Sequence, residues 1–124
     1  MLKGTTVTKR FEFCYGHHLP EYSGKCKYVH GHNSMLDVEF AHHSIEEYNG
    51  MVIDFNKIKE FVKPIVDTLD HRDLNEILDP WYLPPTAENI IEFIVDQIRK
   101  TPIGVALQRV RLYETPNSYA EWRC

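Results

Sequence analysis

The segment GKCKYVHGH, residues 24–32, concentrates the groups best suited to bind and use a metal ion. On an extended backbone, residues two apart project from one face. His30 and His32 can therefore present two imidazoles to a single ion, and Gly31 between them has no side chain to crowd it. Cys26 lies just upstream, within reach of the same pocket without having to be a ligand. Two imidazoles and a thiol suggest a zinc site that carries its own nucleophile or base. A lone His-x-His pair on an exposed strand would as readily face water; the thiol and matching groups elsewhere favour the site.

A tetrahedral catalytic zinc commonly takes three protein ligands and keeps one position open. The chain offers five further histidines: His17, His18, His42, His43 and His71. His42 and His43 stand in a polar stretch before a turn and read as solvated. His17 is better placed, because it continues the parity of Phe11, Phe13 and Tyr15, whereas His18 falls on the opposite face. A histidine on that apolar face is either a satisfied core residue or the third ligand. Asp70-His71 ends a helical stretch, where the imidazole complements the helix dipole or, held by the carboxylate, assists a thiol. Glu114 shares parity with Val110 and Leu112. It either reaches water at a strand end or points inward, where a ligand with a flat amidine-like edge would pair with it.

These groups need a scaffold, and the rest of the sequence describes one. The chain has 124 residues, 43% of them hydrophobic, which fits one globular domain over residues 1–124. A net charge of −4 argues against nucleic acid as a main partner. The sequence shows neither an apolar run of membrane-spanning length nor a secretory pattern. Three cysteines, Cys14, Cys26 and Cys124, form no pairing pattern. A cytoplasmic location, where thiols stay reduced, suits them.

Residues 5–17 read as a strand, and Leu36, Val38 and Phe40 mark a second. Asn49-Gly50 signals a turn. Asp54 reads as the N-cap of a helix with Ile58, Val62, Ile65 and Leu69 on its apolar stripe. Pro64 inside that helix predicts a kink or a restarted turn. Thr86 caps a second helix striped by Ile90, Ile94 and Ile98. The last strands run through Val110, Leu112 and Glu114, then Tyr119 to Trp122 beyond the Pro116-Asn117 turn. The order is ββααββ, an α+β sheet with both helices on one face.

Taken in order, FEFCYGHHLP, CKYVHGHN, VIDF (52–55), TLDHRDLN (68–75), PTAEN (85–89) and YET (113–115) resemble the 6-pyruvoyl-tetrahydropterin synthase family over nearly the whole chain. The resemblance implies a tunnelling fold (T-fold): a four-stranded antiparallel sheet with two helices on one side, trimers closing into a barrel, and two trimers stacking as a homo-hexamer. It also implies that His17, His30 and His32 hold Zn2+ and that Cys26 is the general base. Asp70 and His71 would tune that base from a neighbouring subunit. Glu114 would grip the 2-amino and N3 edge of a pterin ring, with Thr86 and Glu88 as further contacts. Cys14, Tyr15 and Gly16 depart from the family pattern, standing where small alanines are more usual. The implied substrate is 7,8-dihydroneopterin triphosphate. Three residues separate Cys26 from His30, the spacing typical of the 6-carboxy-5,6,7,8-tetrahydropterin synthases of queuosine biosynthesis; the pyruvoyl-forming branch typically has five. The expected protein is thus a zinc-dependent lyase of the carboxy-forming type, with the pyruvoyl-forming synthase as the alternative. A non-catalytic pterin- or purine-binding T-fold protein is the third reading. It would close its zinc site with Cys26 as a fourth ligand.

Overall fold

Alternating side chains decide which face of each strand is buried. In β1 (Thr6–His17), Phe11, Phe13, Tyr15 and His17 are buried, while Arg10 and Glu12, of the opposite parity, are exposed. β2 (His30–Ala41) pairs with it antiparallel over its full length and buries Ser34, Leu36, Val38 and Phe40 on the same side. The computed structural model describes residues 4–41 and 50–124. His42, His43 and Asn49 of the expected turn lie outside the described residues.

Asp54 caps α1 (Phe55–Leu69) by accepting a 2.7 Å hydrogen bond from the Asn56 amide. Ile58, Val62, Val66 and Leu69 form its buried stripe. The stripe turns through Val66 rather than Ile65, since the i+4 step keeps closer to the sheet-facing side. The expected restart at Pro64 is absent: the helix runs through it, and the exposed ring faces away from the core. Thr86 caps α3 (Ala87–Arg99) through the Asn89 amide at 3.2 Å. Ile90, Ile94 and Ile98 on α3 are fully buried. Together the two helices cover one face of the sheet.

Between the helices the chain forms short elements that the sequence did not announce, among them β3 (Arg72–Asp73) and the single turn α2 (Leu74–Ile77). β3 lies parallel to β1 at Tyr15 and Gly16. With β4 (Leu107–Thr115) and β5 (Ser118–Arg123) the sheet therefore has five strands, in the order β3-β1-β2-β4-β5, rather than the expected four. The additional strand is only two residues long, and the α+β layout is unchanged. Asp73 caps α2 through Asn75. No helix among the described residues is long and apolar enough to cross a membrane.

The sheet face turned away from the helices is ionic. Arg10 forks onto Asp37 at 2.7 and 2.9 Å. Arg109 reaches Glu39 at 2.7 Å, and Arg111 reaches Glu121 at 2.7 Å. These pairs run across β1, β2, β4 and β5, so the two faces of one sheet differ sharply in polarity.

Candidate metal centre and adjoining cavity

The β1–β2 register builds the centre. His17 lies opposite His30, and Tyr15 lies opposite His32. Shared parity then places three imidazoles at one end of the helix-covered face. One ligand atom from each lies within 4.8 Å of the others. His17 Nε2 and His32 Nε2 are 3.0 Å apart.

Each ring is held from behind by a main-chain carbonyl. His17 Nδ1 meets the Pro85 oxygen at 2.7 Å, His30 Nδ1 the Tyr28 oxygen at 2.7 Å, and His32 Nδ1 the Glu114 oxygen at 3.1 Å. A carbonyl can only accept, so each Nδ1 carries a proton, and in the neutral ring Nε2 presents a lone pair. Such orientation of the second ring nitrogen is the usual support of a metal-bound histidine. In neutral rings, lone pairs facing each other at 3.0 Å repel unless a cation lies between them. Tetrahedral zinc would place bonded nitrogens roughly 3.3 Å apart, given bonds of about 2.0–2.1 Å. The donor set of neutral imidazoles therefore fits zinc. Burial pushes the His17 imidazole below its ordinary pKa, against the pull of the Pro85 hydrogen bond, and so favours the neutral form a metal requires.

His18 turns away from this cluster. Its main chain is tied to Asn75, whose Oδ1 accepts from the His18 amide at 2.9 Å and whose Nδ2 donates to the His18 carbonyl at 3.0 Å. Gly31 also faces the opposite side, where an added Cβ would meet only the Tyr15 oxygen at 3.6 Å. Its lack of a side chain therefore gives the ion no room. The alternation that pairs His30 with His32 sends residue 31 away from both.

A cavity of about 460 Å³ opens beside the histidines. His17, Cys26, Thr86, Glu88 and Glu114 all border it. Cys26 sits on a short 3-10 turn (Lys25–Lys27), with its carbonyl accepting from the Leu19 amide at 2.7 Å. Its thiol is free and is not part of the converging ligand group. Glu114 Oε2 stands 3.8 Å from His32 Nε2. The sequence did not reveal that Leu19, Tyr22 and the Ser118–Ala120 stretch complete the walls. Nor did it reveal the Pro85 and Tyr28 carbonyls, because any residue type supplies one.

Asp70 and His71 lie elsewhere, against Cys14 on the β3 side of the sheet. The Asp70 carboxylate accepts from the Cys14 amide at 2.9 Å, and His71 Nδ1 stands 2.9 Å from the same oxygen. That amide, followed by His71, holds Asp70 below its ordinary pKa. The His71 amide donates to the Cys14 carbonyl at 2.6 Å. His71 has φ = 60°, a conformation costly for a non-glycine residue, and its side chain is 77% exposed. Neither residue borders the cavity that holds Cys26. This chain thus pairs the carboxylate with the imidazole but presents them outward.

Comparison with known proteins bears on the family and the fold. A family model described as 6-pyruvoyl tetrahydropterin synthase matches residues 6–124. A 6-carboxy-5,6,7,8-tetrahydropterin synthase of Rickettsia conorii is 31% identical over 134 residues, covering 92% of this chain and 96% of that protein. A dihydroneopterin monophosphate aldolase of Pyrococcus furiosus is 42% identical over 87 residues, covering 69% and 70%. The structure of Caenorhabditis elegans 6-pyruvoyl tetrahydropterin synthase superposes with a TM-score of 0.85 at 25% identity, covering 97% of this chain and 95% of that one. The sheet and its paired helices are the T-fold of those synthases. By its sequence and its fold, the chain belongs to the 6-pyruvoyl tetrahydropterin synthase family.

Proposed function

We propose that the protein is a zinc-dependent 6-carboxy-5,6,7,8-tetrahydropterin synthase. It would convert 7,8-dihydroneopterin triphosphate and water to 6-carboxytetrahydropterin, acetaldehyde and triphosphate, as an early step toward queuosine. The observation that carries this reading is the cavity that brings His17, one of three converging histidines, together with the free Cys26 thiol and the Glu114 carboxylate. His17, His30 and His32 would hold the zinc, which when bound supplies Lewis-acid polarisation of the substrate's side-chain hydroxyls.

The chain's own groups then divide the work. Glu114 accepts hydrogen bonds from the pterin 2-amino group and N3–H, an edge that matches a carboxylate's two oxygens. Thr86 and Glu88 flank the ring at the start of α3. Cys26, as thiolate, takes a proton from the side chain. Lys25 and Lys27 on the same turn are exposed and offer charge to the phosphates. Asp70 and His71 project outward, which suits a role at the Cys26 of an adjoining subunit and supports assembly as a homo-hexamer of two trimers. The protein would work as a cytoplasmic enzyme.

The spacing of Cys26 and His30 favours the carboxy-forming branch over the pyruvoyl-forming one. The position of Cys26 outside the ligand group weighs against a closed structural zinc and a binding-only role. The 42% identity to the Pyrococcus aldolase keeps aldol cleavage of dihydroneopterin monophosphate as a second reading. One experiment separates them: incubate the zinc-loaded protein with each dihydroneopterin phosphate and identify the products by mass. Carboxytetrahydropterin with acetaldehyde from the triphosphate is the expected result. Pyruvoyl-tetrahydropterin, cleavage of the monophosphate alone, or no product would each overturn it.

A further inference from the structure

Cys14 has no part in the proposed reaction, yet Asp70 and His71 are built against it. By strand alternation its side chain lies on the ionic face of the sheet, opposite Asn33 in the β1–β2 register. The Cys14 thiol Sγ is 2.8 Å from Asn33 Oδ1, and the thiol is half-buried and free. One ligand atom each from Cys14, Asp70 and His71 lies within 4.8 Å of the others, as in the group of His17, His30 and His32. The two groups share no residue.

Local structure accounts for part of this arrangement only. The Asp70 carboxylate accepts from the Cys14 amide, and the Cys14 carbonyl accepts from the His71 amide. Both bonds run to the main chain of residue 14 and would form with any side chain there, so they do not call for a thiol. Position 71 has φ = 60°, where glycine or asparagine costs least. An imidazole held there against that cost, 2.9 Å from a carboxylate and beside a thiol, completes a donor set. Two openings of about 540 and 500 Å³ both border Cys14, Asn33 and His71, so a small ion can reach the group from solvent.

We propose that Cys14, Asp70 and His71 form a second metal site, separate from the three histidines, for a borderline divalent cation of the zinc class. A thiolate and an imidazole select such an ion over magnesium or calcium, which prefer all-oxygen sites. Bonds of about 2.0–2.3 Å require the ligand atoms to draw together. The His71 side chain, 77% exposed, is free to supply that movement. Ordering it lowers the affinity, so this site fills after the histidine centre. A cation bound here occupies Asp70 and His71, the two groups that the proposed relay would use.

Cobalt(II) is the probe, titrated into the metal-free protein with a phosphine as reductant so that no foreign thiol competes. A cobalt-bound thiolate gives an intense near-ultraviolet charge-transfer band, which imidazole ligands do not. In the wild type that band should grow mainly with the second equivalent of cobalt. Cys14→Ser should abolish it, whereas Cys26→Ser and Cys124→Ser should keep it. His71→Asn suits the left-handed backbone and removes the imidazole; it should raise the cobalt concentration at half-saturation by about tenfold or more. His32→Ala breaks the histidine centre and should keep the band, so the two centres are read separately. No band in the wild type, a band that survives Cys14→Ser, or one lost in Cys26→Ser overturns the proposal. If Cys14→Ser does not fold, a titration unmoved by His71→Asn overturns it as well.

Discussion

Chelation offers a direct measure of the metal centre. Hydrogen bonds of 2.7, 2.7 and 3.1 Å to main-chain carbonyls orient the three rings, so the fold itself supports the ligand set. Zinc binding should then appear as folding stability, at RT ln(1 + [Zn]/Kd), or about 4 kcal/mol when free zinc is a thousandfold above Kd. For a chain of this length, 1 kcal/mol moves Tm by about 3–5 °C. Stripping zinc with EDTA should thus lower Tm by roughly 12–20 °C at fixed protein concentration. His32→Ala removes one of the three lone pairs and the hydrogen bond to the Glu114 carbonyl. Its Tm should begin lower and respond little to EDTA. His18→Ala should keep the full response, since His18 lies outside the cluster. Scanning fluorimetry with metal analysis on the same samples reads all three proteins. An EDTA-insensitive wild type without bound zinc refutes the centre. A His18→Ala protein that loses its response while His17→Ala keeps it refutes the choice of ligand.

Other expectations concern the groups around that centre. Cys26→Ala should retain zinc yet lose turnover by roughly 10²–10⁴-fold; loss of zinc with turnover intact would make the thiol a ligand instead. Native mass spectrometry should show trimers or hexamers, and a fully active monomer would exclude a shared site. If neighbouring subunits share sites, Cys26→Ala and His71→Ala chains, each inactive, should regain activity when refolded together at equal amounts, up to about a quarter of the sites. No recovery in mixed oligomers would place both groups in one chain's site. Asp70, with its folded pKa depressed by the Cys14 amide and His71, contributes stability that is present above the ordinary carboxylate value of about 3.9 and lost as pH falls through the lower folded value. In EDTA, the urea midpoints of wild type and Asp70→Asn should therefore differ at pH 7 and converge in acid, whereas divergence in acid would contradict the assignment.

How far the site could be read in advance depended on whether geometry followed from parity or from tertiary approach. His30 and His32 follow from the two-residue period of a strand, and His17 from its phase with Phe11, Phe13 and Tyr15. Asp54 and Thr86 were legible as caps because a side-chain oxygen one step before an apolar periodic run has a local job. The Pro85 carbonyl behind His17 was not legible, since 68 residues separate the partners and main-chain acceptors carry no sequence signature. β3 was hidden because two residues are too few to show alternation. Of the two outcomes expected at Pro64, the restarted turn is absent, because the helix continues through an exposed position.

The ionic face of the sheet has a consequence for any higher assembly. Arg10–Asp37, Arg109–Glu39 and Arg111–Glu121 satisfy one another within a single chain, so neighbouring copies are not needed to neutralise them. A surface of that kind stays wetted when it is curved inward. A ring of such sheets would enclose a water-filled bore rather than a second oily interior. Its cohesion would have to come from strand edges and loops. The bore wall would then tolerate polar exchange freely, while one leucine planted among those arginines would strand a guanidinium without its counter-charge.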